Sequence, residues 1–595
     1  MDLNQEQKAA VETTARRALV QAGAGSGKTR VLTSRAAHLV DSGTPPDRIC
    51  CVTFTRKAAN ELRSRLSTMI GRNASQLTVG TFHSLCASWI RSYLETSRAL
   101  PLTPDFSIYD ATDSGALLEM SRAAMARQMP KSGLDRRYSW REICDESHPD
   151  RNADGFRVYA DYHRRKFSMN AIDFADCLEL FLHLLLLDPA VFLRHAERYQ
   201  HILIDEGQDT DRLQWSLASL AIEAGKAFSG CLFVVADTRQ SIYAFRGAEP
   251  QTIEALAADP DWATYGLTVN YRSTRQIVEL ANRIDLAMGL KSTEGKQLTA
   301  LKVGGEPQVL PCGDAWNEAR TIANHIRGYT EVGMRPKDIA ILYRTHKQAK
   351  PLCAVFDECE IPYYRVGSER ALWDQVGARQ VVRLLRLACN PGDDQSFEWV
   401  CNWPQERLSP RDLAGAKADA AGAAQHMIVA AGDAVSDLRA LVFDVDRDML
   451  AAEAVACLEN LIGEDDFAHA ACVEIAEWND GEATTGEFLD WFATRNLQDE
   501  MREERDAVTL CTVHASKGLE WPLVCLVGME HGTFPIKRAN TDAAEELRLF
   551  YVAVTRARSE LVLSHATVAE RGPMTVTVQP SPFLAFMQDA ERKTA

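Results

Sequence analysis

The stretch Ala22–Thr29, A-G-A-G-S-G-K-T, holds residue types that grip a phosphate chain. Glycines at 23, 25 and 27 let the backbone curl so that successive N–H groups point at one anion. Lys28 has the reach for β- and γ-phosphates, and the Thr29 hydroxyl is an oxygen ligand for Mg²⁺. A second pair stands at Asp205-Glu206, inside HILIDEGQDT (His201–Thr210). One carboxylate there can hold Mg²⁺ while the next polarises an attacking water. Each pattern alone also arises by chance. The loop has Ala22 where G-x-x-x-x-G-K-[ST] begins with Gly, and an acid pair after an apolar run is common. Together in one chain they point to a nucleoside triphosphatase.

These residues need strands that end where the chemistry happens. Ala18-Leu19-Val20 reads as the strand before the loop, and a helical pattern follows near Arg30. Ile202-Leu203-Ile204 reads as a buried parallel strand that delivers Asp205-Glu206 at its carboxyl end, where open α/β sheets bind ligands. Cys50–Leu66 begins β-rich, with Thr55 placed to cap a helix, and Thr78–Leu85 reads as a strand-to-turn element ending in Phe82-His83. From about 90 to 199 the pattern is helical; its basic residues near 136–141 and 164–166 suit a solvated surface or a strand-facing patch. Leu232–Ala236 is a further strand before Asp237, Gln240 and SIYAFRGA. A second α/β unit opens at LTVNYRSTRQIV (Leu267–Val278), continues at Asp338–Leu352 and returns at Val508–Pro535. Glu545–Arg558 reads as an amphipathic helix leading into a last strand, Glu560–Ser564. Residues 373–499 are helix-rich, with an alanine-heavy stretch at Ala414–Ala424 and no repeat.

At 595 residues the chain exceeds a single hydrophobic core. Its longest apolar run, Phe181–Leu187, contains His183 and is too short to span a bilayer; the start, MDLNQEQK, is unlike a signal peptide. The 15 cysteines include no C-x-x-C pair, which suits reduced thiols rather than a zinc or iron–sulfur site. A cytoplasmic protein without membrane partners is expected. The net charge of −16 argues mildly against nucleic acid, although a motor needs only a local basic track.

The motifs in sequence order resemble those of the UvrD/Rep/PcrA-like superfamily 1 DNA helicases. The resemblance is carried by AGAGSGKT, IDEGQDT, QSIYAFRGA, NYRS, TVHASKGLEW and YVAVTRAR, between residues 3 and 558. It implies an α/β fold of two RecA-like P-loop NTPase domains with parallel sheets, each carrying a mostly helical insertion. The expected boundaries are 1–91 and 197–265 for the first domain and 92–196 for its insertion. They are 266–372 and 500–595 for the second domain, and 373–499 for a shortened insertion. The resemblance implies ATP and Mg²⁺, with Lys28, Asp205, Glu206, Gln240, Arg272 and Arg556 catalytic and with Thr29 and Asp205 on the metal. Nucleotide contacts are expected from Gln7, Ala22, Gly23, Ala24, Gly25, Ser26, Gly27, Lys28, Thr29, Arg30, Tyr271, Gly518 and Glu520. Gln7 would read an adenine edge, Gln240 sense the γ-phosphate, and Arg272 and Arg556 act as arginine fingers. DNA contacts are expected from Phe54, Thr81, Phe82, His83, Tyr243, Phe245, Arg246, Arg344, Thr512 and His514. By residue type alone, Gln7 reads rather as a surface glutamine and Phe54 and Phe82 as core residues, and a core or capping role is the alternative for His514.

The chain departs from the family at four places. Gly207 replaces an aromatic, which is expected to loosen local packing. The segment Ala236-Asp237-Thr238-Arg239-Gln240 replaces a more acidic G-D-x-x-Q, and Arg239 is expected to alter coupling to DNA. Leu547 takes a commonly basic position, while Arg548 remains. Near Asn402–Pro410 the Gly-Ile-Gly duplex-binding element is not found. The expected activity is ATP-driven 3′→5′ movement on single-stranded DNA with duplex unwinding, acting on single strands and single/double-strand junctions. The alternatives are a translocase that strips proteins without efficient unwinding, or a nucleotide-gated clamp in a repair, phage or defence assembly. Repair, replication or nuclease proteins are expected partners, and too little chain follows Arg558 for a fused nuclease.

Overall fold

The computed structural model describes residues 3–125, 136–223, 230–243, 247–289, 297–366, 370–401, 403, 441, 444–458, 461–495, 506–537, 542–571 and 574–588. They form two compact units. One is drawn from Met1–Thr81, Ala196–Ser368 and Asn496–Ala595, the other from Phe82–His195 and Glu369–Arg495.

The first unit contains two six-stranded sheets, each parallel throughout. The first runs in the order Thr78–Thr81, Ile49–Thr53, His201–Ile204, Cys231–Ala236, Arg17–Ala22, Ala263–Leu267. The second runs Gln308–Cys312, Ala557–Ala566, Trp521–Leu526, Ile339–Tyr343, Val508–Thr512, Tyr363–Arg365. Strands inside the sheets are buried and mostly apolar along their whole length, as parallel sheets covered on both faces are: every residue of Ile49–Thr53, Ile339–Tyr343 and Val508–Thr512 is buried. Between the sheets in sequence, Val269–Thr274 pairs in parallel with Thr299–Lys302. The α/β expectation of parallel sheets is borne out. The strand expected to be last spans Ala557–Ala566, and the antiparallel pair Val568–Arg571 and Met574–Thr577 follows it.

Local sequence explains where several helices start. Thr55 caps Arg56–Ile70 by accepting from the Ala58 amide, as its type and position suggest. Asn4 and Gln7 form a reciprocal capping box on Gln5–Val11. Gly27 supplies a left-handed residue (φ +88°) at the turn into Lys28–Asp41, a conformation open to glycine without steric penalty.

Among the described residues the second unit is mainly helical, with a short parallel pair, Ser107–Tyr109 and Ala171–Asp173. A helix, Phe82–Leu94, opens where the sequence suggests a turn. One core gathers Val381, Leu385, Phe488 and Phe492; another gathers Tyr109, Phe156 and Tyr162. The chain's two helical segments are tied inside this unit by buried charge. Asp113 accepts from Arg383 at 2.8 Å and from Arg386 at 2.7 Å. Burial pushes that carboxyl up, but the two guanidinium groups overcome it and hold it down at about 2. The basic residues near 136–141 and 164–166 are largely paired within the unit: Lys166 is fully buried against Asp173 and Asp176, and Arg165 pairs with Asp161. No helix among the described residues is long and apolar enough to cross a membrane.

Candidate functional site

The glycine-rich loop leaves the strand Arg17–Ala22 and enters the helix Lys28–Asp41, so the loop amides and the helix N-terminus face one place. A cavity of about 330 Å³ lies there, lined by Gly25, Lys28 and Thr29 from the loop side and by Arg272, Gly518 and Arg556 from the second half of this unit, the part that begins at Val269. The two halves are fastened at the loop itself. Asn270 Nδ2 donates to the Ala24 carbonyl at 2.7 Å, and the Tyr271 amide donates to the Gly25 carbonyl at 2.9 Å. A Cβ on Gly25 would lie 2.7 Å from Arg272 Cβ, so glycine is needed for this close approach. Ala22 and Ala24 are buried, and Ser26 Oγ closes the turn onto the Gly23 carbonyl at 2.8 Å. Gln7 is buried beneath the loop: its Nε2 donates to the Ser26 carbonyl at 3.0 Å and its Oε1 accepts from the Asn4 amide at 3.1 Å. Arg30, Tyr271 and Glu520 line the cavity.

The acid pair sits at the carboxyl end of the strand His201–Ile204, as the apolar run implies. Thr29 Oγ1 lies 3.4 Å from Asp205 Oδ2, and Lys28 Nζ lies 3.3 Å from Glu206 Oε2. Burial, with Glu206 adding to it, pushes the Asp205 carboxyl up to about 7. Burial also opposes ionisation of Glu206, but Lys28 and Lys517 outweigh it and hold that group at about 2. Two neighbouring carboxylates are thereby driven apart. Glu206 has φ +52°, a left-handed conformation costing a non-glycine residue on the order of 1 kcal/mol or more. Gln208 holds it there through Nε2 to Glu206 Oε2 at 2.6 Å, while Gln208 Oε1 accepts from the Asp237 amide at 2.8 Å. The oxygens of Thr29 and Asp205 suit a hard cation such as Mg²⁺.

From the second half, Arg556 is 1% exposed and donates to Gln240 Oε1, the Leu519 carbonyl and the Val552 carbonyl, each at 3.0 Å. Burial, reinforced by neighbouring Arg272, lowers its guanidinium to about 9. Arg272 pairs with Glu520 and donates to the Thr555 carbonyl at 3.2 Å. Gly518 has φ +83°. The sequence reading missed Lys517 and Asp209, which form a buried ion pair; Lys517 Nζ also donates to the Gln240 carbonyl at 2.6 Å. Both residues stood inside recognised motifs, but only the fold makes them neighbours.

The residues expected to contact DNA are divided between the two units. Thr81, Thr512 and Arg344 occupy or follow the carboxyl ends of their strands. Phe54 stacks on Tyr243 with centroids 4.9 Å apart and planes 17° apart, and Tyr243 is 6% exposed. Arg344 donates to buried Glu546 through Nε at 3.0 Å and Nη2 at 2.6 Å. The Thr512 hydroxyl accepts from the Ala515 amide at 3.3 Å, and the His514 carbonyl accepts from the Lys517 amide at 3.4 Å. Phe82 and His83 belong to the second unit, where His83 stacks on Phe174. Phe245 and Arg246 lie outside the described residues, as do Ala414–Ala424 and, apart from Trp403, Asn402–Pro410.

Two departures prove to be packing features. Gly207 does not loosen its surroundings: a Cβ there would lie 2.6 Å from Val234 Cγ1, so the backbone packs directly on that side chain. Arg239 is buried and pairs with Asp285. Leu547 packs against the core of the second half, while Arg548 Nε donates to the Ser241 carbonyl at 2.7 Å.

Residues 3–261 match the UvrD/REP helicase N-terminal domain, and residues 265–418 and 471–567 match the UvrD-like helicase C-terminal domain. The chain is 32% identical to the ATP-dependent DNA helicase UvrD1 of Mycobacterium tuberculosis, over 95% of this chain and 82% of that protein. It is 31% identical to the ATP-dependent DNA helicase PcrA of Bacillus subtilis, over 99% and 86% respectively. With PcrA of Staphylococcus epidermidis the identity is 29%, over 98% and 86%.

Proposed function

Since the chain belongs to the UvrD/REP helicase family, we propose that it is an ATP-dependent DNA helicase moving 3′→5′ on single-stranded DNA and opening duplexes ahead of it. The observation that carries this reading is the meeting of Lys28, Glu206, Gln240, Arg272 and Arg556 around one cavity fed by both halves of the chain. In this reading the loop amides, with Lys28 and Arg30, hold the phosphates of ATP, and Tyr271 stacks on the base. One amide hydrogen and one lone pair of Gln7 remain for an adenine edge. Gly518 and Glu520 border the ribose. Thr29 and Asp205 would hold Mg²⁺, which supplies charge neutralisation of the phosphate oxygens. Glu206, held ionised, accepts a proton from the attacking water, and Gln240 senses the γ-phosphate. Arg272 and Arg556 stabilise the charge that develops on the transferred group, a role worth on the order of 10³–10⁵ in rate. Because these arginines come from the second half, loss of the γ-phosphate weakens the grip between halves and permits a stepwise ratchet.

The strand path is proposed along Phe54, Thr81, Phe82, His83, Tyr243, Phe245, Arg246, Arg344, Thr512 and His514, with aromatic faces taking bases of any sequence. The proposed domain boundaries are those read from the sequence, and the proposed location is the cytoplasm. Protein stripping without efficient unwinding is the second reading. It is favoured by residues 419–470, which fall outside both matched family segments.

Steady-state ATP hydrolysis with and without single-stranded DNA, with Glu206→Gln as the blank, tests the motor. Duplexes with a 3′ or a 5′ single-stranded tail test polarity and unwinding. Strong stimulation by DNA with opening of 3′-tailed duplexes is expected. Stimulation with displacement of a bound protein but no opening selects the second reading, and absence of ATP hydrolysis refutes both.

A further inference from the structure

Arg239 is 2% exposed, on the short turn Thr238–Gln240 that follows the strand Cys231–Ala236. A guanidinium so placed is costly unless paired. Its Nε donates to Asp285 Oδ1 at 2.7 Å, on the helix Arg275–Met288 of the second half. Its Nη1 lies 3.8 Å from Asp237 Oδ1. Asp237 is where two lines of contact divide. Its Oδ2 accepts from Gln240 Nε2 at 2.6 Å, and Gln240 Oε1 accepts from Arg556 at 3.0 Å. Its amide donates to Gln208 at 2.8 Å, and Gln208 donates to Glu206 at 2.6 Å. One ion pair between the halves therefore backs the residue that orients both Gln240 and, through Gln208, Glu206.

Resting on the proposed function above, we propose that Arg239 and Asp285 are positioning residues for ATP hydrolysis. They form a strap between the halves that holds Asp237, and with it Gln240 and Glu206, in working geometry. Neither residue is among those lining the cavity. The pair acts on the barrier rather than on ATP binding, because misplacing a reacting group by about 1 Å costs on the order of 10²-fold in rate.

The test compares the full-length chain with Arg239→Met, Arg239→Lys, Asp285→Asn and the double variant Arg239→Met/Asp285→Asn, in the presence of single-stranded DNA. The single variants Arg239→Met and Asp285→Asn are expected to lower kcat by about tenfold or more while KM for ATP stays within about twofold. The double variant is expected to be no worse than the poorer single one, since the partners act as a unit. Arg239→Lys restores part of the rate by keeping the charge. Backbone hydrogen exchange over 237–243 supplies a readout independent of turnover: it accelerates in Arg239→Met and Asp285→Asn and not in Arg239→Lys. Unchanged kcat, a rise in KM equal to the fall in kcat, additive losses or unchanged exchange would each overturn the strap. If the parent chain hydrolyses no ATP, the proposed function falls, and the exchange comparison still decides the ion pair.

Discussion

Replacing Arg556 by alanine removes the most deeply buried cation at the cavity. Its guanidinium donates to Gln240, to the Leu519 and Val552 carbonyls and, at 3.1 Å, to the Thr555 hydroxyl. Losing these bonds at about 1 kcal/mol each gives a stability cost of about 3–4 kcal/mol, visible in chemical denaturation. The kinetic loss is larger. A finger worth about 10³ in rate corresponds to about 4 kcal/mol of barrier. Binding of ATP should change little, because in the proposed reading the loop amides and Lys28 hold the phosphates of bound ATP, while Arg556 acts on charge that develops only in the transition state. The assay pairs equilibrium binding of a fluorescent ATP analogue with single-turnover hydrolysis in saturating single-stranded DNA, below the unfolding transition. A kcat reduced by about 10³ with binding within about threefold is expected. Equal losses in both would refute the finger role.

Lys28→Ala abolishes turnover, because the group set between the loop and Glu206 is lost; steady-state hydrolysis checks it. Gly207→Ala forces a Cβ to 2.6 Å from Val234 Cγ1 and should destabilise the first unit by about 1–3 kcal/mol in denaturant titration. Asp113 gives the second unit an acid-sensitive lock. Its folded carboxyl, at about 2 against an ordinary 3.8, contributes about 2 kcal/mol above pH 4. That contribution is lost as pH falls from about 4 through about 2, where the folded carboxyl takes up its proton. Stability measured across this range should therefore decline more steeply in the parent than in Asp113→Asn, and parallel curves would refute the assignment.

The sequence by itself determined what is encoded over short spans. Glycine spacing, the apolar run before Asp205-Glu206, the cap at Thr55 and the ordered motifs each depend on neighbours within a turn or strand, and each resemblance rests on such a span. Parallel α/β architecture followed from them because buried strands must alternate with covering helices. The tertiary structure alone decided which distant residues meet. Lys517 and Asp209 pair across 308 positions, Arg239 and Asp285 across 46, and Asp113 meets Arg386 across 273. A charged residue in a sequence carries no mark of whether it will be solvated or buried, since its desolvation cost is set by what packs around it. The same holds for Gly207, whose need appears only when Val234 lies against it, and for Glu206, whose left-handed backbone is held by Gln208. Chemistry was written locally, and its alignment was settled by long-range packing.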